Sequence, residues 1–138
     1  MIPDLDPKSP VPLYLQIVEQ VRRLLALGVL KPGERFLTVR ELGARARVNR
    51  NTAARAIGEM ERSGMVRTRV GQGTFIADAP PAMEAGRREA ALDSAIEKLL
   101  VEAHALGVHP EELGWRLHRK LEQFARTRRN HDGDKESR

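Results

Sequence analysis

One segment, residues 38–75, constrains the fold of this 138-residue chain most, because two helix signals and a hairpin signal follow one another within it. Thr38 is followed three residues later by Glu41, the spacing at which the two residues cap the start of a helix reciprocally. Val39 and Leu42 then begin an apolar pattern with a spacing of three and four residues, which places its members on one helical face. We therefore predict a helix that begins at Val39.

A second helix is predicted directly after the first, since Asn49 is a residue type that caps helix N-termini. Its inward positions repeat every three or four residues, at Ala53, Ala56, Ile57 and Met60. Gly64 is predicted to end this helix, because glycine readily adopts the left-handed conformation that follows many helices. Only a few residues separate the two helices, which predicts a helix-turn-helix.

A hairpin signal follows the second helix. Residues 65–70 alternate in the period of a half-buried strand, and residues 74–76 supply a partner strand after a glycine-rich connection. Residues 35–37 are predicted to add a short third strand. Together these elements predict a winged helix-turn-helix, a mostly α fold with a small β wing.

The residues before this segment predict an arm and a supporting helix. Residues 1–11 contain three prolines and are predicted to form an extended arm. A stripe of apolar side chains then precedes Gly28, which ends the helix: Leu13, Ile17, Val21, Leu24 and Leu25. We expect this helix to pack behind the helix-turn-helix, with Tyr14 at the edge of the core.

The positive charge of the chain is concentrated in its N-terminal part. Residues 1–78 hold 13 basic and 8 acidic side chains, whereas residues 79–138 hold 11 of each. Residues 35–69 alone contain nine Arg, no Lys and three acids. A pair of arginines could simply solvate a small helical domain, but this density favours attraction to the phosphates of nucleic acid.

The exposed residues of the second helix have side chains that can form hydrogen bonds with the edges of base pairs. Arg50, Asn51, Thr52 and Arg55 lie in its N-terminal half, where Arg can bridge guanine O6 and N7 and Asn can pair with adenine. The positive end of the helix dipole also favours a phosphate there.

In the hairpin, a glycine-flanked tip permits close approach to the sugar-phosphate backbone, with Arg67 and Arg69 beside it. The alternative for the hairpin is a purely structural one.

Residues 12–76 resemble the DNA-binding domain of the GntR family of bacterial transcription factors. The residues that carry the resemblance keep the order and spacing of the family: Pro12, Tyr14, Gln16-Ile17, Gly28, Leu30, Pro32-Gly33-Glu34-Arg35, Val39-Arg40-Glu41-Leu42, Val48, Arg50-Asn51-Thr52, Ala56, Gly64 and Gly71-Gln72-Gly73-Thr74-Phe75. The resemblance implies that Arg40, Arg50 and Thr52 touch the operator. It also implies that Gly71 enters the minor groove at the wing tip.

This chain departs from the family at three positions. Leu37 and Thr38 replace the usual proline and serine, and Ala54 stands where many members have a base-reading arginine. The residues predicted to contact DNA are Thr38, Arg40, Asn49, Arg50, Asn51, Thr52, Arg55, Arg67, Arg69, Gly71, Gln72 and Gly73. Arg55 is the candidate to compensate for Ala54.

The domain boundary is predicted at Pro80-Pro81, which cannot continue a strand ladder. We predict a DNA-binding domain over 1–78, a linker over 79–82, two helices over 83–126 and a disordered tail over 127–138. The two helices carry apolar seams whose members are predicted to form a dimer interface: Leu92, Ile96, Leu99, Ala103, Leu106, Leu113, Trp115, Leu117, Leu121 and Phe124. Gly107 is predicted to end the first of these helices, and His109-Pro110 to open the second.

Two helices of this size cannot bury both apolar faces on each other, so the simplest partner is a second copy of the chain. The alternative is a helical hairpin that folds back on its own DNA-binding domain. The short two-helix part resembles the YtrA subfamily, which implies a homodimeric repressor that binds an inverted-repeat operator. Relief by a small-molecule effector stays open, as does an architectural or plasmid-maintenance DNA-binding protein.

Several classes of protein are disfavoured by composition. The chain has no cysteine, so it has neither disulfides nor thiolate metal sites, and no apolar run reaches membrane-spanning length. We expect a cytoplasmic protein without a cofactor. Its four histidines lack metal-ligand spacing and are expected to be solvated or at an interface: His104, His109, His118 and His131. The serines have no nucleophile setting, so no enzymatic activity is expected.

Overall fold

The computed structural model describes residues 5–78 and 83–136. The chain divides into two compact units, Met1–Pro81 and Ala82–Arg138. The predicted linker 79–82, the first four residues of the arm and the last two residues of the tail lie outside the described residues.

The N-terminal unit is a winged helix-turn-helix, as predicted. Its elements are α1 (Leu13–Ala26), α2 (Val39–Ala46), α3 (Arg50–Arg62), β1 (Val66–Arg69) and β2 (Gly73–Ile76). The core lies where α1, α2 and α3 meet the inner face of the two strands, and its buried members are Ile17, Val18, Val21, Phe36, Leu42, Ala46, Ala53, Ala56, Ile57, Met60, Val66 and Ile76. Tyr14 packs at its edge, where it was expected.

Both helices of the helix-turn-helix begin where their capping residues predict. The Glu41 backbone N–H donates to Thr38 Oγ1 at 3.1 Å, and the Thr38 N–H donates back to Glu41 Oε1 at 3.3 Å. Hydrogen bonds to the Glu41 carboxylate from the Thr38 backbone N–H and from the Thr38 side chain lower the pKa of Glu41 below its ordinary value, with smaller contributions from the charges of Arg35 and Arg45. At α3, the Thr52 N–H donates to Asn49 Oδ1 at 2.8 Å.

Thr38→Ala is expected to lower the free energy of unfolding by about 1 kcal/mol, because the first turn of α2 loses its side-chain cap. Urea unfolding at neutral pH measures this loss. Asn51→Ala is the control, since Asn51 is exposed in the first turn of α3 and alanine is the better helix former. Equal stability of Thr38→Ala and wild type would contradict the capping role.

The same cap predicts a dependence on pH. The folded pKa of Glu41 lies below its unfolded value near 4.5, so its contribution is complete above that value. The contribution is lost as the pH falls through the folded pKa. Thr38→Ala removes the side-chain hydrogen bond to the Glu41 carboxylate but keeps the backbone N–H of residue 38. The stability difference between wild type and this variant is therefore expected to narrow in acid only by the contribution of the hydroxyl.

The wing is a two-stranded antiparallel sheet with one added bridge. Val66 pairs with Ile76, and Arg69 pairs with Gly73. The predicted third strand is reduced to a single bridge between Arg35 and Phe75, supported by a hydrogen bond of 2.7 Å from the Phe36 N–H to the Thr74 carbonyl. A longer third strand does not fit, because Thr38 caps the start of α2 directly after residue 37.

The arm is folded rather than extended over its described residues. The Ser9 N–H donates to the Asp6 carbonyl at 3.2 Å, which closes a turn. The Gln16 side chain then binds the arm to α1: its Oε1 accepts from the Asp6 N–H at 2.8 Å, and its Nε2 donates to the carbonyls of Asp6 at 2.9 Å and Val11 at 2.8 Å. The prolines predicted extension, but one amide side chain from α1 supplies three hydrogen bonds that favour the turn.

The C-terminal unit consists of α4 (Ala85–Ala105) and α5 (Pro110–Glu136). Gly107 has a φ of +73° directly after α4, so the predicted end is confirmed. The prediction of a disordered tail from residue 127 is wrong for its described part, because α5 continues through it. Extending a helix costs far less than starting one, and no proline follows Pro110 to stop it.

Candidate nucleic-acid interface

The connection between α2 and α3 sets the angle of the helix-turn-helix. Arg47 ends α2 with a φ of +55°, a left-handed conformation that is uncommon for residues other than glycine. The Val48 N–H donates to the Gly43 carbonyl at 3.1 Å, and a Cβ at Gly43 would lie 3.3 Å from the Val48 carbonyl oxygen. Glycine at this position therefore lets the turn pack closely against α2.

An open groove lies between α2 and the start of α3. It is lined by Val39, Arg40, Gly43, Ala44, Val48 and Arg50. Arg40 and Arg50 are both exposed at this groove, so the fold brings together two residues that are ten positions apart in the chain. The two arginines predicted to contact DNA from different helices thus lie on one surface.

The first turn of α3 presents donors to solvent. Arg50 and Asn51 are exposed, and Thr52 is half-buried. The cap uses the oxygen of the Asn49 side chain, and its amide N–H groups remain as donors. At the start of α2, the Thr38 hydroxyl accepts a hydrogen bond from the Glu41 N–H.

Arg55 lies apart from this surface. Its guanidinium carbon is 4.1 Å from the centre of the Tyr14 ring, so the side chain stacks on α1. Five residues along a helix correspond to a rotation of about 140°, which separates Arg55 from Arg50. The structure therefore does not bring Arg55 to the position where it would replace a base-reading arginine at Ala54.

The wing tip is a glycine turn with a basic side. Gly71 has a φ of +76°, and a Cβ built on it would meet no atom within 4 Å. Arg67 and Arg69 are exposed on β1, and the Arg69 guanidinium lies over the Phe75 ring at 4.9 Å. The Gln72 N–H donates to the Arg69 carbonyl at 2.9 Å and closes the turn, which leaves the Gln72 side chain exposed.

Val70 is a wing residue that the sequence reasoning missed. Its side chain is 97% exposed at the tip, beside Gly71. The available signal was a β-branched apolar residue beside a glycine-rich turn. Such a side chain gains nothing from exposure to water.

The arginines of this surface carry uncompensated charge. Within residues 5–78, no acid forms an ion pair with Arg40, Arg50 or Arg67. By contrast, at the far end of α3 the Arg62 guanidinium lies 2.6 Å from Glu59 Oε1. Their hydrogen bond lowers the pKa of Glu59 and raises the pKa of Arg62. The positive field of α3 is thus strongest near its N-terminus.

The C-terminal unit exposes its apolar seams. In α4, Leu92, Ile96 and Leu99 are exposed, and Ala103 is the single buried residue among the described part of this unit. In α5, Leu113 is half-buried, whereas Leu117, Leu121 and Phe124 are exposed. Leu106 follows α4 and is 80% exposed.

Trp115 belongs to a different face of α5. It is two residues before Leu117, which corresponds to a rotation of about 160° from the seam. The Arg119 guanidinium lies 5.2 Å from the centre of its ring. Trp115 therefore lies beside the seam, and its part in a dimer interface stays a prediction.

The histidines occupy separate positions in the C-terminal unit. His118 Nε2 lies 3.2 Å from Glu122 Oε1, and His131 Nδ1 lies 2.8 Å from the Thr127 carbonyl oxygen. Across the described ranges 5–78 and 83–136, no three His, Asp or Glu side chains are grouped to hold a metal ion. None of the helices in those ranges has the length and apolarity needed to cross a bilayer.

Comparison with known proteins finds similarity in the winged helix-turn-helix and also over most of the chain. Residues 13–76 match the model of the bacterial regulatory proteins of the gntR family. The chain is 34% identical to the HTH-type transcriptional repressor YtrA of Bacillus subtilis over 109 aligned residues. The aligned region covers 79% of this chain and 84% of the relative.

Two solved structures have the same fold. One is that of a transcriptional antiterminator from Listeria monocytogenes EGD-e, with a TM-score of 0.72, 30% identity and coverage of 88% of this chain and 90% of that chain. The other is a GntR family transcriptional regulator from Listeria monocytogenes, with a TM-score of 0.59, 28% identity and coverage of 83% and 98%. The chain belongs to the GntR family of bacterial regulatory proteins and is a DNA-binding transcription regulator of its YtrA-like type.

Proposed function

We propose that this protein is a homodimeric transcriptional repressor that binds an inverted-repeat operator. The observation that carries the proposal is the placement of Arg40 and Arg50 on one groove, without an acidic partner among the described residues of their unit. An α-helix fits the major groove, and a guanidinium can donate two hydrogen bonds to guanine O6 and N7. The start of α3 would therefore read bases, while the start of α2 would meet the phosphate backbone.

The wing would extend the contact to the neighbouring minor groove. Its tip is a glycine turn with open space around Gly71, so its backbone can approach the sugar-phosphate chain closely. Arg67 and Arg69 would add sequence-independent attraction to the phosphates. In this arrangement α3 supplies specificity, and the wing supplies affinity and orientation.

The dimer is supported by the exposed seams of α4 and α5. Large apolar side chains that are exposed in regular helical spacing mark an interaction surface. A second copy of the chain carries the same surface, and a two-fold axis would make the two copies self-complementary. It would also set the two α3 helices on successive major grooves, about 10 base pairs apart or slightly more.

Repression would follow from occupancy of a promoter by this dimer. The relative YtrA is named a transcriptional repressor, which supports this direction of regulation. Because both α3 helices must meet their grooves together, a ligand that changed their spacing would release the operator. Binding to chromosomal DNA requires the protein in the cytoplasm.

Selection of bound duplexes from a random pool tests the proposal. We expect an inverted repeat with half-sites about one helical turn apart, because a two-fold dimer presents the same residues to each half. The selection is repeated with candidate metabolites, and loss of the selected duplexes would identify an effector. Recovery of duplexes without a common sequence would favour an architectural DNA-binding protein instead.

A further inference from the structure

The outward face of the wing carries an arginine that the predicted contact residues do not include. Arg35 pairs with Phe75 across the single bridge beside β2, and Arg67 pairs with Phe75 from the other side. Side chains that are directly opposite in a sheet point to the same face. Val66 and Ile76 are buried on the inner face, so Arg35, Arg67 and Phe75 lie on the outer one.

The Arg35 side chain runs along this face toward the wing tip. A Cβ built on Gly73 would lie 3.4 Å from Arg35 Nε, 3.7 Å from its Nη2 and 3.9 Å from its Cζ. The guanidinium therefore packs over Gly73, at the distance of an ordinary van der Waals contact with a Cβ built there. Gly73 in turn pairs with Arg69, whose guanidinium lies over Phe75.

Arg35, Arg67 and Arg69 place three like charges on the outer face of the wing. Within residues 5–78, no acid forms an ion pair with any of the three. Like charges on one face repel one another, and an anion above the face weakens this repulsion. A polyanion with regularly spaced charges would relieve this repulsion.

Arg35 also lies close to the start of α2. It is three residues before Thr38, and its charge contributes to lowering the pKa of Glu41 in the cap of α2. It therefore stands between two points of the proposed interface, the N-terminus of α2 and the wing tip. A DNA strand that contacts both points would pass near Arg35.

We infer that Arg35 is a phosphate contact, which binds the DNA strand between the start of α2 and the wing tip. The inference rests on the proposed function. Gly73 lies beneath this contact, where its φ of +115° favours glycine over a residue with a side chain. The contact carries no base preference, since the partner is the phosphate backbone.

The test measures the salt dependence of binding to a random-sequence duplex of about 30 base pairs, which accommodates two half-sites one helical turn apart. Arg35→Gln keeps a polar side chain but loses the charge. Its slope of log K against log salt is expected to be shallower by about 0.9 per protomer, the value for one lost phosphate contact. Affinity should fall equally for the random duplex and for a selected operator.

Two controls isolate the charge of Arg35. Arg22→Gln removes the same charge from α1, where Arg22 pairs with Glu19, and should leave the slope unchanged. Arg35→Lys keeps the charge and should keep the wild-type slope. Thermal unfolding of each variant shows whether the wing still folds.

The outcomes separate the inference from the proposed function. If wild-type protein binds no duplex at low salt, the proposed function is wrong. If wild type binds and Arg35→Gln has the wild-type slope, only the inference is overturned. Weaker binding with an unchanged slope would also overturn it, because Arg35 would then hold the wing in place without touching a phosphate.

Discussion

A chain that carries Leu99→Asp together with Leu117→Asp is expected to sediment as a monomer. Leu99 is 39% exposed and Leu117 is 46% exposed in the isolated chain, so an aspartate at either position can remain solvated there. In a two-fold dimer the same positions would place four carboxylates in an apolar interface. Burial of unpaired charges is far more costly than the loss of apolar contact alone.

The monomer is also expected to bind the operator weakly. Linking two binding modules strengthens binding by a factor of about 10² to 10⁴ without any new contact, and this factor is lost when the modules separate. Sedimentation measures the mass, and titration of a selected operator measures the affinity. The mass and the affinity should fall together if the seam holds the two copies in a dimer.

Val101→Asp is the matched control for this pair. Val101 is 64% exposed on α4, and two residues from Leu99 correspond to a rotation of about 160° away from the seam. The control should keep both the mass and the affinity of wild type. An unchanged mass of the Leu99→Asp, Leu117→Asp protein would exclude the seam as the dimer interface.

Arg50→Ala is expected to weaken binding to the operator by roughly 1–3 kcal/mol and to weaken binding to random DNA much less. The reason is the difference between a base contact and a phosphate contact. A bidentate pair with a base is lost only from the sites that contain that base, whereas a phosphate is present in every sequence. Competition between the selected operator and a random duplex measures the difference directly.

Arg62→Ala is the control on the same helix. Arg62 lies at the C-terminal end of α3 and pairs with Glu59, so its loss should leave the preference for the operator intact. The comparison with Arg35→Gln is also informative, because the phosphate contact should lower affinity for both duplexes alike. Equal weakening of both duplexes by Arg50→Ala would make Arg50 a phosphate contact as well.

The helix boundaries of the N-terminal unit were predictable from the sequence. Thr38 and Asn49 cap their helices through hydrogen bonds that span only three residues, so the signal and the structure it causes lie in the same short window. Gly28 and Gly64 have φ values of +74° and +77° just after α1 and α3, where their residue type predicted the helix ends. Local chemistry was sufficient at these positions.

Other features depended on contacts that no short window contains. Arg55 stacks on Tyr14 of α1, about forty residues earlier in the chain, and the direction of its side chain follows from how α1 packs on α3. The arm turns because Gln16 binds it, although its prolines predicted extension. The end of α5 is helical because a helix already formed extends at low cost.

The sequence by itself determined the order of the five helices and the two wing strands, the excess of arginine in the N-terminal part and the family, because each of these follows from residue types and spacings along the chain. Only the tertiary structure decided which arginines share a surface. It brings Arg40 to Arg50, lays Arg35 over Gly73 and turns Arg55 toward Tyr14. The physical reason is that the direction of a side chain depends on how helices and strands pack on one another, and residues far apart in the chain decide that packing.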